Sequence, residues 1–137
     1  MQLTPAISLH LASALSALLT GPVVIWTRRG GTIRPAWHRV LGYGWVAMML
    51  TAALSALFIR DFRWPNLAGY TPIHLLVPLT LGGLVGAFRA LAHGAIRQHR
   101  QRMQSLYFGA CVGAGAFTLL PGRYLGQLVW GQWLGWL

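Results

Sequence analysis

Acidic side chains are almost missing from this sequence. Asp61 is the only carboxylate, and neither glutamate nor lysine occurs among the 137 residues. A single carboxylate leaves no acid/base pair, no Ser/His/Asp arrangement and no oxygen-lined magnesium or calcium site. Cys111 is also the only cysteine, which excludes a disulfide framework and a thiolate cluster for a metal. These absences disfavour hydrolases, and Cys111 is predicted to be a small packing residue.

Long apolar runs dominate what is present. Hydrophobic residues make up 55% of the chain and charged residues 9%, whereas soluble domains have roughly 25% charged residues. Four runs reach or approach the roughly 20 residues that cross a membrane, at residues 5–27, 40–59, 72–92 and 104–120. The sequence therefore predicts a single all-α membrane domain, a polytopic bundle of four transmembrane helices. Residues 126–137 are too short to span, and their three tryptophans (Trp130, Trp133 and Trp136) predict a segment at the membrane interface.

The arginines predict the orientation of these spans. The first and third connections are arginine-rich, with Arg28, Arg29, Arg34 and Arg39 in or beside the first and Arg89, Arg97, Arg100 and Arg102 in or beside the third. The second connection has only Arg60 and Arg63. By the positive-inside rule, the arginine-rich connections face the cytoplasm, so both termini lie outside a bacterial inner membrane. Because the net charge of +10 is scattered between apolar runs, it does not predict a nucleic-acid partner.

Tryptophans support the predicted span boundaries. Trp26, Trp37 and Trp64 fall at span ends, where an amphipathic ring prefers the headgroup level. The two halves of the chain also share a pattern, in which a Thr-Pro step precedes His-Leu in the first span of each half and His-Arg opens the second. The residues are Thr4-Pro5, His10-Leu11 and His38-Arg39 in one half and Thr71-Pro72, His74-Leu75 and His99-Arg100 in the other. This pattern predicts two tandem two-helix repeats related by an axis along the membrane normal.

Four of the five histidines form two sets by depth. His10 and His74 fall near the outer ends of spans one and three, and His38 and His99 fall near the inner ends of spans two and four. Ionisable side chains within spans usually face the bundle interior and serve function. Imidazoles that meet across a bundle can hold a haem from both sides of the iron. The two levels, some 20 Å apart by helical rise, predict one or two haems b.

Arginines and small residues accompany the histidines. Arg39 and Arg100 directly follow the inner histidines and are predicted to pair with haem propionates. Glycines in spans three and four would let a flat macrocycle approach the backbone, although they equally allow helix packing without a cofactor. Met103 follows His99 by four residues and could complete a His/Met site for haem or copper, but the preferred interpretation is a packing residue.

Each histidine also has an interpretation without a cofactor. His38, His93 and His99 lie beside arginines at the predicted cytoplasmic interface, where solvated imidazoles are common, and this interpretation is strongest for His93. His74 lies close to Pro72 and could cap the start of a helix. His10, about one and a half turns inside its span, is the hardest to explain in this way.

Several motifs resemble a known family. The strings His38-Arg39-Val40-Leu41-Gly42, Leu54-Ser55-Ala56-Leu57-Phe58-Ile59-Arg60 and Pro72-Ile73-His74-Leu75-Leu76, with His99-Arg100 followed by Met103, resemble bacterial predicted membrane proteins classed as a domain of unknown function. This resemblance covers nearly the whole chain and implies four helices with recurring histidines. The layout is similar, more distantly, to di-haem cytochromes b of the ascorbate-reducible or ferric-reductase-like type. That similarity implies His10 with His74 and His38 with His99 as axial pairs, although such cytochromes have more helices and longer loops.

Three functional hypotheses follow. The leading one is a small membrane b-type cytochrome or redox subunit that transfers electrons across the bilayer, with quinone or a larger respiratory complex as partner. The second is a copper- or haem-handling assembly factor for a respiratory oxidase, which would use the histidines transiently. The third is a structural or regulatory membrane subunit without a cofactor, held in a complex or a homo-oligomer by its glycine-rich faces and tryptophan tail.

Overall fold

The computed structural model describes residues 4–28, 35–62 and 65–136, and these residues form helices and no strand. The long helices are α1 (Pro5–Trp26), α2 (Pro35–Ala56) and α3 (Leu76–Ala92), the last preceded by a 3₁₀ turn at Pro72–Leu75. A fourth helical stretch, residues 96–118, consists of α4 (Ile96–Leu106), a π-helix (Tyr107–Gly113) and α5 (Ala114–Thr118). The tail contains α6 (Tyr124–Gly126), which continues as a second π-helix (Gln127–Trp133). The all-α prediction is confirmed.

Within the described residues, three helices are long and apolar enough to cross a membrane, namely Pro5–Trp26, Ala36–Ala56 and Pro72–Ala92. They correspond to the first three predicted spans, and α2 begins before the predicted start near Val40. The predicted fourth span lies within the 96–118 stretch, whose first turns are polar because they carry Arg97, Arg100 and Arg102. The fourth span therefore stays a prediction. Arg29, Arg34, Arg63 and Trp64, which entered the arginine count and the tryptophan belt, lie outside the described residues.

Helix α1 contains an internal proline that leaves a main-chain carbonyl without its usual partner. The helix starts at Thr4, whose Oγ1 accepts a hydrogen bond from the Ile7 N–H at 3.3 Å. Further along, Pro22 has no N–H to donate to the Leu18 carbonyl, one turn before it. The Tyr107 hydroxyl donates to this carbonyl instead, at 3.2 Å, and its ring packs against Gly21. This hydrogen bond links the start of the first π-helix to α1.

The helices pack as two hairpins. The first hairpin is α1 with α2, and the second hairpin is α3 with the 96–118 stretch; each is closely packed, whereas α2 meets α3 less extensively. In the first hairpin the buried Trp45 donates from Nε1 to the Ala17 carbonyl at 3.0 Å. In the second hairpin, Gly83 has no side chain, and the Leu106 side chain occupies the space beside it. Large side chains from both hairpins, including Trp45, Met49, Leu84 and Leu106, form the common core.

The ends of the two hairpins are joined on the side opposite His38. Asp61, just after α2, pairs with Arg123 of the tail, with an oxygen-to-nitrogen distance of 3.5 Å. The tail folds back on the end of the 96–118 stretch, where Trp130 Nε1 donates at 2.6 Å to the carbonyl of Leu119, the residue that caps this stretch. Trp136 stacks on Trp130 and is itself 73% exposed, as an interfacial side chain would be.

Candidate functional site

His38 and His99, the two histidines predicted near the inner ends of their spans, line one cavity. This cavity, which we name the inner cavity, has a volume of about 650 Å³ and lies between the start of α2, the end of α3 and α4. Its polar lining includes His38, His99, Arg28, Arg39, Arg97 and Arg100. The volume falls within the range of roughly 300–1,000 Å³ that ligand sites occupy. The two predicted propionate-binding arginines therefore line the same cavity as the two inner histidines.

The His38 ring is oriented by the end of α1. Its Nδ1 lies 3.1 Å from the Val24 carbonyl oxygen and 3.2 Å from Thr27 Oγ1. Because a carbonyl can only accept, Nδ1 carries the proton in this contact, and the lone pair of the neutral ring is then at Nε2. No donor or acceptor within the described residues engages Nε2. An imidazole held through Nδ1 with Nε2 free is the arrangement of most metal-bound histidines.

His99 repeats this arrangement in the second hairpin. Its Nδ1 donates to the Ala87 carbonyl of α3 at 2.9 Å, and its Nε2 likewise has no partner among the residues that the structure describes. Phe88 packs edge-on against the His99 ring, with centroids 6.2 Å apart, and stacks on Tyr43, with centroids 6.3 Å apart. These aromatic side chains form an apolar wall beside the imidazoles and fix the His99 orientation.

The inner cavity is strongly cationic. Four arginines line it, and the only acidic side chain of the chain, Asp61, lies beyond the far end of α2. Arg100 uses part of its guanidinium to donate to the Arg28 carbonyl at 3.3 Å, which links the two hairpins at this end. With no carboxylate of its own to balance these charges, the cavity favours an occupant with anionic groups.

The outer histidines differ from each other, and only His10 shares the hydrogen-bond arrangement of the inner pair. His10 donates from Nδ1 to the Ala52 carbonyl of α2 at 2.8 Å. In His74 both nitrogens are engaged, since Nδ1 accepts from the Thr71 N–H at 3.1 Å and Nε2 donates to the Ile59 carbonyl at 2.9 Å. The predicted role of His74 as a helix cap is thus seen directly. Neither outer histidine is among the described residues that line the inner cavity.

The two histidine levels are well separated along the bundle. His38 contacts Val24, which follows His10 in α1 by about 14 residues or, in helical rise, about 21 Å. His10 and the His38 contact therefore lie near opposite ends of α1. His10 and His74 lie on α1 and on the turn before α3, and these two helices are not extensively packed against each other in the described part of the chain. Iron ligation by His74 would require its contact with Ile59 to break.

The remaining predicted residues behave as packing or surface groups. His93 is exposed and donates only to the Arg89 carbonyl, one turn before it, at 2.7 Å. Met103 packs against the core and also lines the inner cavity. Cys111 packs against the core as well, with its Sγ 3.3 Å from Met49 Sδ. The described residues bring together no group of three or more His, Cys, Asp or Glu side chains.

Several residues that line the inner cavity were missed by sequence reasoning. Tyr107 and Arg28 both line the inner cavity, and Tyr107 also restores the hydrogen bond that Pro22 removes. The signal for Tyr107 was available, because a proline inside an apolar span predicts a freed carbonyl that needs a donor from a neighbouring helix. Which donor supplies it depends on tertiary packing, and the sequence does not encode that directly.

The comparisons with known proteins support the membrane assignment. The family model described as "Predicted membrane protein (DUF2306)" matches residues 7–130, which is most of the chain. No curated protein and no solved structure matches. The predicted similarity to cytochromes b receives no support from these comparisons. Together with its apolar helices, the match identifies a multi-pass membrane protein, and the chain belongs to the DUF2306 family of predicted membrane proteins.

Proposed function

We propose that this protein is a small membrane redox subunit that holds one haem b in the inner cavity, with His38 and His99 as axial ligands. The observation that carries this function is the matched state of the two rings. Each donates from Nδ1 to a main-chain carbonyl of the neighbouring helix and leaves Nε2 without a partner within the described residues. This is how proteins orient imidazoles for metal ligation.

The residues around the His38 and His99 rings are suited to a haem. Tyr43 and Phe88 offer an apolar aromatic wall, and Arg39 and Arg100 offer guanidinium groups suited to two carboxylates. A haem at this position would supply one-electron chemistry. The chain itself orients the imidazoles through Val24 and Ala87 and balances the propionate charges.

One haem is favoured over two. Both inner rings line one cavity, and their Nε2 atoms have no partner among the described residues, whereas His74 uses both ring nitrogens on Thr71 and Ile59. A second haem between His10 and His74 remains a prediction that requires the outer end to rearrange. Met103, which lines the same cavity as His99, would be the replacement ligand if one imidazole were lost.

The proposed topology has four spans, with residues 96–118 as the fourth. Placing the arginine-rich end with the inner cavity in the cytoplasm puts both termini outside a bacterial inner membrane. Two tandem repeats are supported by His38 and His99, which bond to carbonyls 14 and 12 residues before them, each in the preceding helix. A haem at the cytoplasmic side would exchange electrons with quinone or with a larger respiratory complex, either as a monomer or in a homo-oligomer.

The test is an absorption spectrum of the full chain purified in mild detergent after expression with ample haem. We expect a reduced-minus-oxidised difference spectrum with Soret and α bands and about one haem per chain. His38→Ala and His99→Ala should each remove the low-spin spectrum, whereas His93→Ala, on the exposed connection, should leave it intact. Wild-type protein with no bands, or bands of equal height in all three variants, would rule out the inner site.

Folding defects are separated from ligand loss by a second pair of variants. His38→Met and His99→Met keep an iron ligand of similar length but change its chemistry. Haem binding predicts a shifted absorption spectrum and a changed reduction potential in these proteins, with an unchanged helical circular dichroism spectrum. Haem that is substoichiometric and lost on washing would instead indicate the assembly-factor hypothesis. Copper found by metal analysis in place of haem would support the same hypothesis.

A cofactor-free structural subunit is the second candidate, and one observation favours it. All five histidines donate to main-chain carbonyls, and His10, His38, His74 and His99 do so across different segments. Such bonds can be purely architectural in an apolar environment. Full stability and the absence of bound haem or copper in preparations expressed with both would decide for this role.

A further inference from the structure

A second groove lies between α2 and α3, outside the inner cavity. It has a volume of about 530 Å³ and is lined by seven apolar residues and a single charged one, Arg89. Phe88 and Val46 separate it from the inner cavity, because both also line that cavity, but neither histidine reaches the groove. The groove is therefore an apolar channel with one cationic end.

The groove follows from the way α3 packs. Its small residues Gly83 and Gly86 face the second helix of its hairpin, where they admit Leu106 and the guanidinium of Arg102. The large residues Leu81, Val85 and Phe88 consequently fall on the face toward α2. Because α2 and α3 are the more loosely packed pair, these side chains border a gap that the protein does not fill.

The groove changes from apolar to charged along the axis of α3. From Leu81 to Arg89 the rise is about 12 Å, and the lining is apolar until Arg89. The Arg89 side chain is exposed, and its guanidinium makes no hydrogen bond or ion pair with the described residues. The only carboxylate, Asp61, is paired with Arg123 beyond the other end of α2. No acidic side chain of the protein is therefore available to Arg89, which leaves it open to an external anion.

We propose that this groove binds one anionic phospholipid, whose acyl chain lies along Leu81, Val85 and Phe88 and whose phosphate pairs with Arg89. The apolar length matches a hydrocarbon chain rather than a free phosphate. The arginine-rich end disfavours a zwitterionic lipid, because its ammonium group would approach Arg89 and the arginines of the inner cavity. The lipid would seal the loose contact between the hairpins.

The experiment measures lipid retention by the full chain, purified in mild detergent and loaded with phosphatidylglycerol or phosphatidylcholine of identical acyl chains. Native mass spectrometry then counts the lipids that remain bound. We expect wild-type protein to retain one phosphatidylglycerol in preference to phosphatidylcholine. Arg89→Gln should weaken phosphatidylglycerol binding about fivefold and leave phosphatidylcholine unchanged, since one arginine contributes about that much near an anionic lipid.

Two matched controls locate the site. Arg60→Gln removes the same charge at the far end of α2 and should not change retention. Val85→Trp fills the groove and should reduce retention of both lipids, whereas Val40→Trp, another exposed valine on the bundle, should not. Equal retention of the two lipids by wild type, or unchanged phosphatidylglycerol retention in Arg89→Gln, would overturn the proposal. The haem spectrum should be the same in Arg89→Gln and wild type, so failure here is distinguishable from failure of the redox function.

Discussion

Both hairpins contain a histidine that donates to a carbonyl of the partner helix, but they differ in their other contacts between helices. In the first hairpin, large side chains donate hydrogen bonds to main-chain carbonyls of the partner helix, as Trp45 does to Ala17 and His10 does to Ala52. In the second, glycines let the partner helix approach, and Leu106 and Arg102 occupy the space that side chains at Gly83 and Gly86 would take. Both are recognised solutions in lipid, where burial of apolar surface does little to hold helices together.

The position of proline explains part of this difference. Pro22 lies in the interior of α1 and frees the Leu18 carbonyl, whereas Pro78 lies in the first turn of α3, where its missing N–H has no helical partner to lose. The first hairpin consequently needs a donor from outside, and Tyr107 of the second hairpin supplies it. The hairpins therefore meet on two sides, through Tyr107 on the α1 side and through the α2–α3 face that borders a groove.

The largest expected effect breaks the contact on the α1 side. In Gly21→Ala the new Cβ would collide with the Tyr107 ring, a rigid group that cannot move without losing its bond to Leu18. We expect a loss of about 1–3 kcal/mol in unfolding free energy, measured by denaturation in mixed detergent micelles. Gly44→Ala is the control, because no described atom lies within 4 Å of the position that its new methyl group would take. Equal losses of unfolding free energy in both variants would show that the contact between Gly21 and Tyr107 does not stabilise the protein.

The next effect distinguishes the two outer histidines. His74→Ala removes two hydrogen bonds at the junction of the hairpins, and we expect it to destabilise the protein by about 2 kcal/mol. His10→Ala removes the bond to Ala52 and should cost about 1 kcal/mol. The exposed His93 provides the control, with little change expected in His93→Ala. A larger loss for His10 than for His74 would contradict the assignment of His74 as a structural group.

A double-mutant cycle sharpens the role of proline. Tyr107→Phe removes the hydroxyl that serves the Leu18 carbonyl and should cost about 1 kcal/mol in the wild-type background. In a Pro22→Ala background, the substituted residue has a main-chain N–H that can donate to the Leu18 carbonyl. Tyr107→Phe should then lower the unfolding free energy by only a few tenths of a kcal/mol. Unfolding in mixed micelles measures all four proteins. If Tyr107→Phe lowers the unfolding free energy equally in both backgrounds, the Tyr107 hydroxyl does not compensate for the proline.

The smallest effect concerns the outer ends of the hairpins. Asp61→Asn abolishes the ion pair with Arg123, both side chains of which are partly exposed. We expect a loss of up to about 1 kcal/mol that shrinks at high salt, because partly exposed pairs are screened. Salt titration of unfolding in nonionic micelles checks this, with Arg89→Gln, an exposed arginine near the other end of the bundle, as the charge control. A loss independent of salt would indicate a packing role for Asp61 instead.

Much of the helical frame was predictable from the sequence. Apolar length predicted three helices that the structure confirms as long enough to cross a membrane, and the periodic placement of His10 and His38 predicted two levels that α1 separates by about 21 Å. These features are local, since they depend on apolar run length and on helical rise. The fourth span was less clear because its local pattern is weaker: residues 96–118 begin with charged side chains and include a π-helix.

The sequence by itself determined the charge imbalance, the apolar helices and the pairing of histidines by depth. Only the tertiary structure decided which ring nitrogens are free. His38 and His74 look alike as residues beside helix starts, yet His38 Nε2 has no partner in the described part of the chain and His74 Nε2 donates to Ile59. The reason is that a ring's second hydrogen bond depends on a carbonyl brought from a distant segment, and helix packing places that carbonyl.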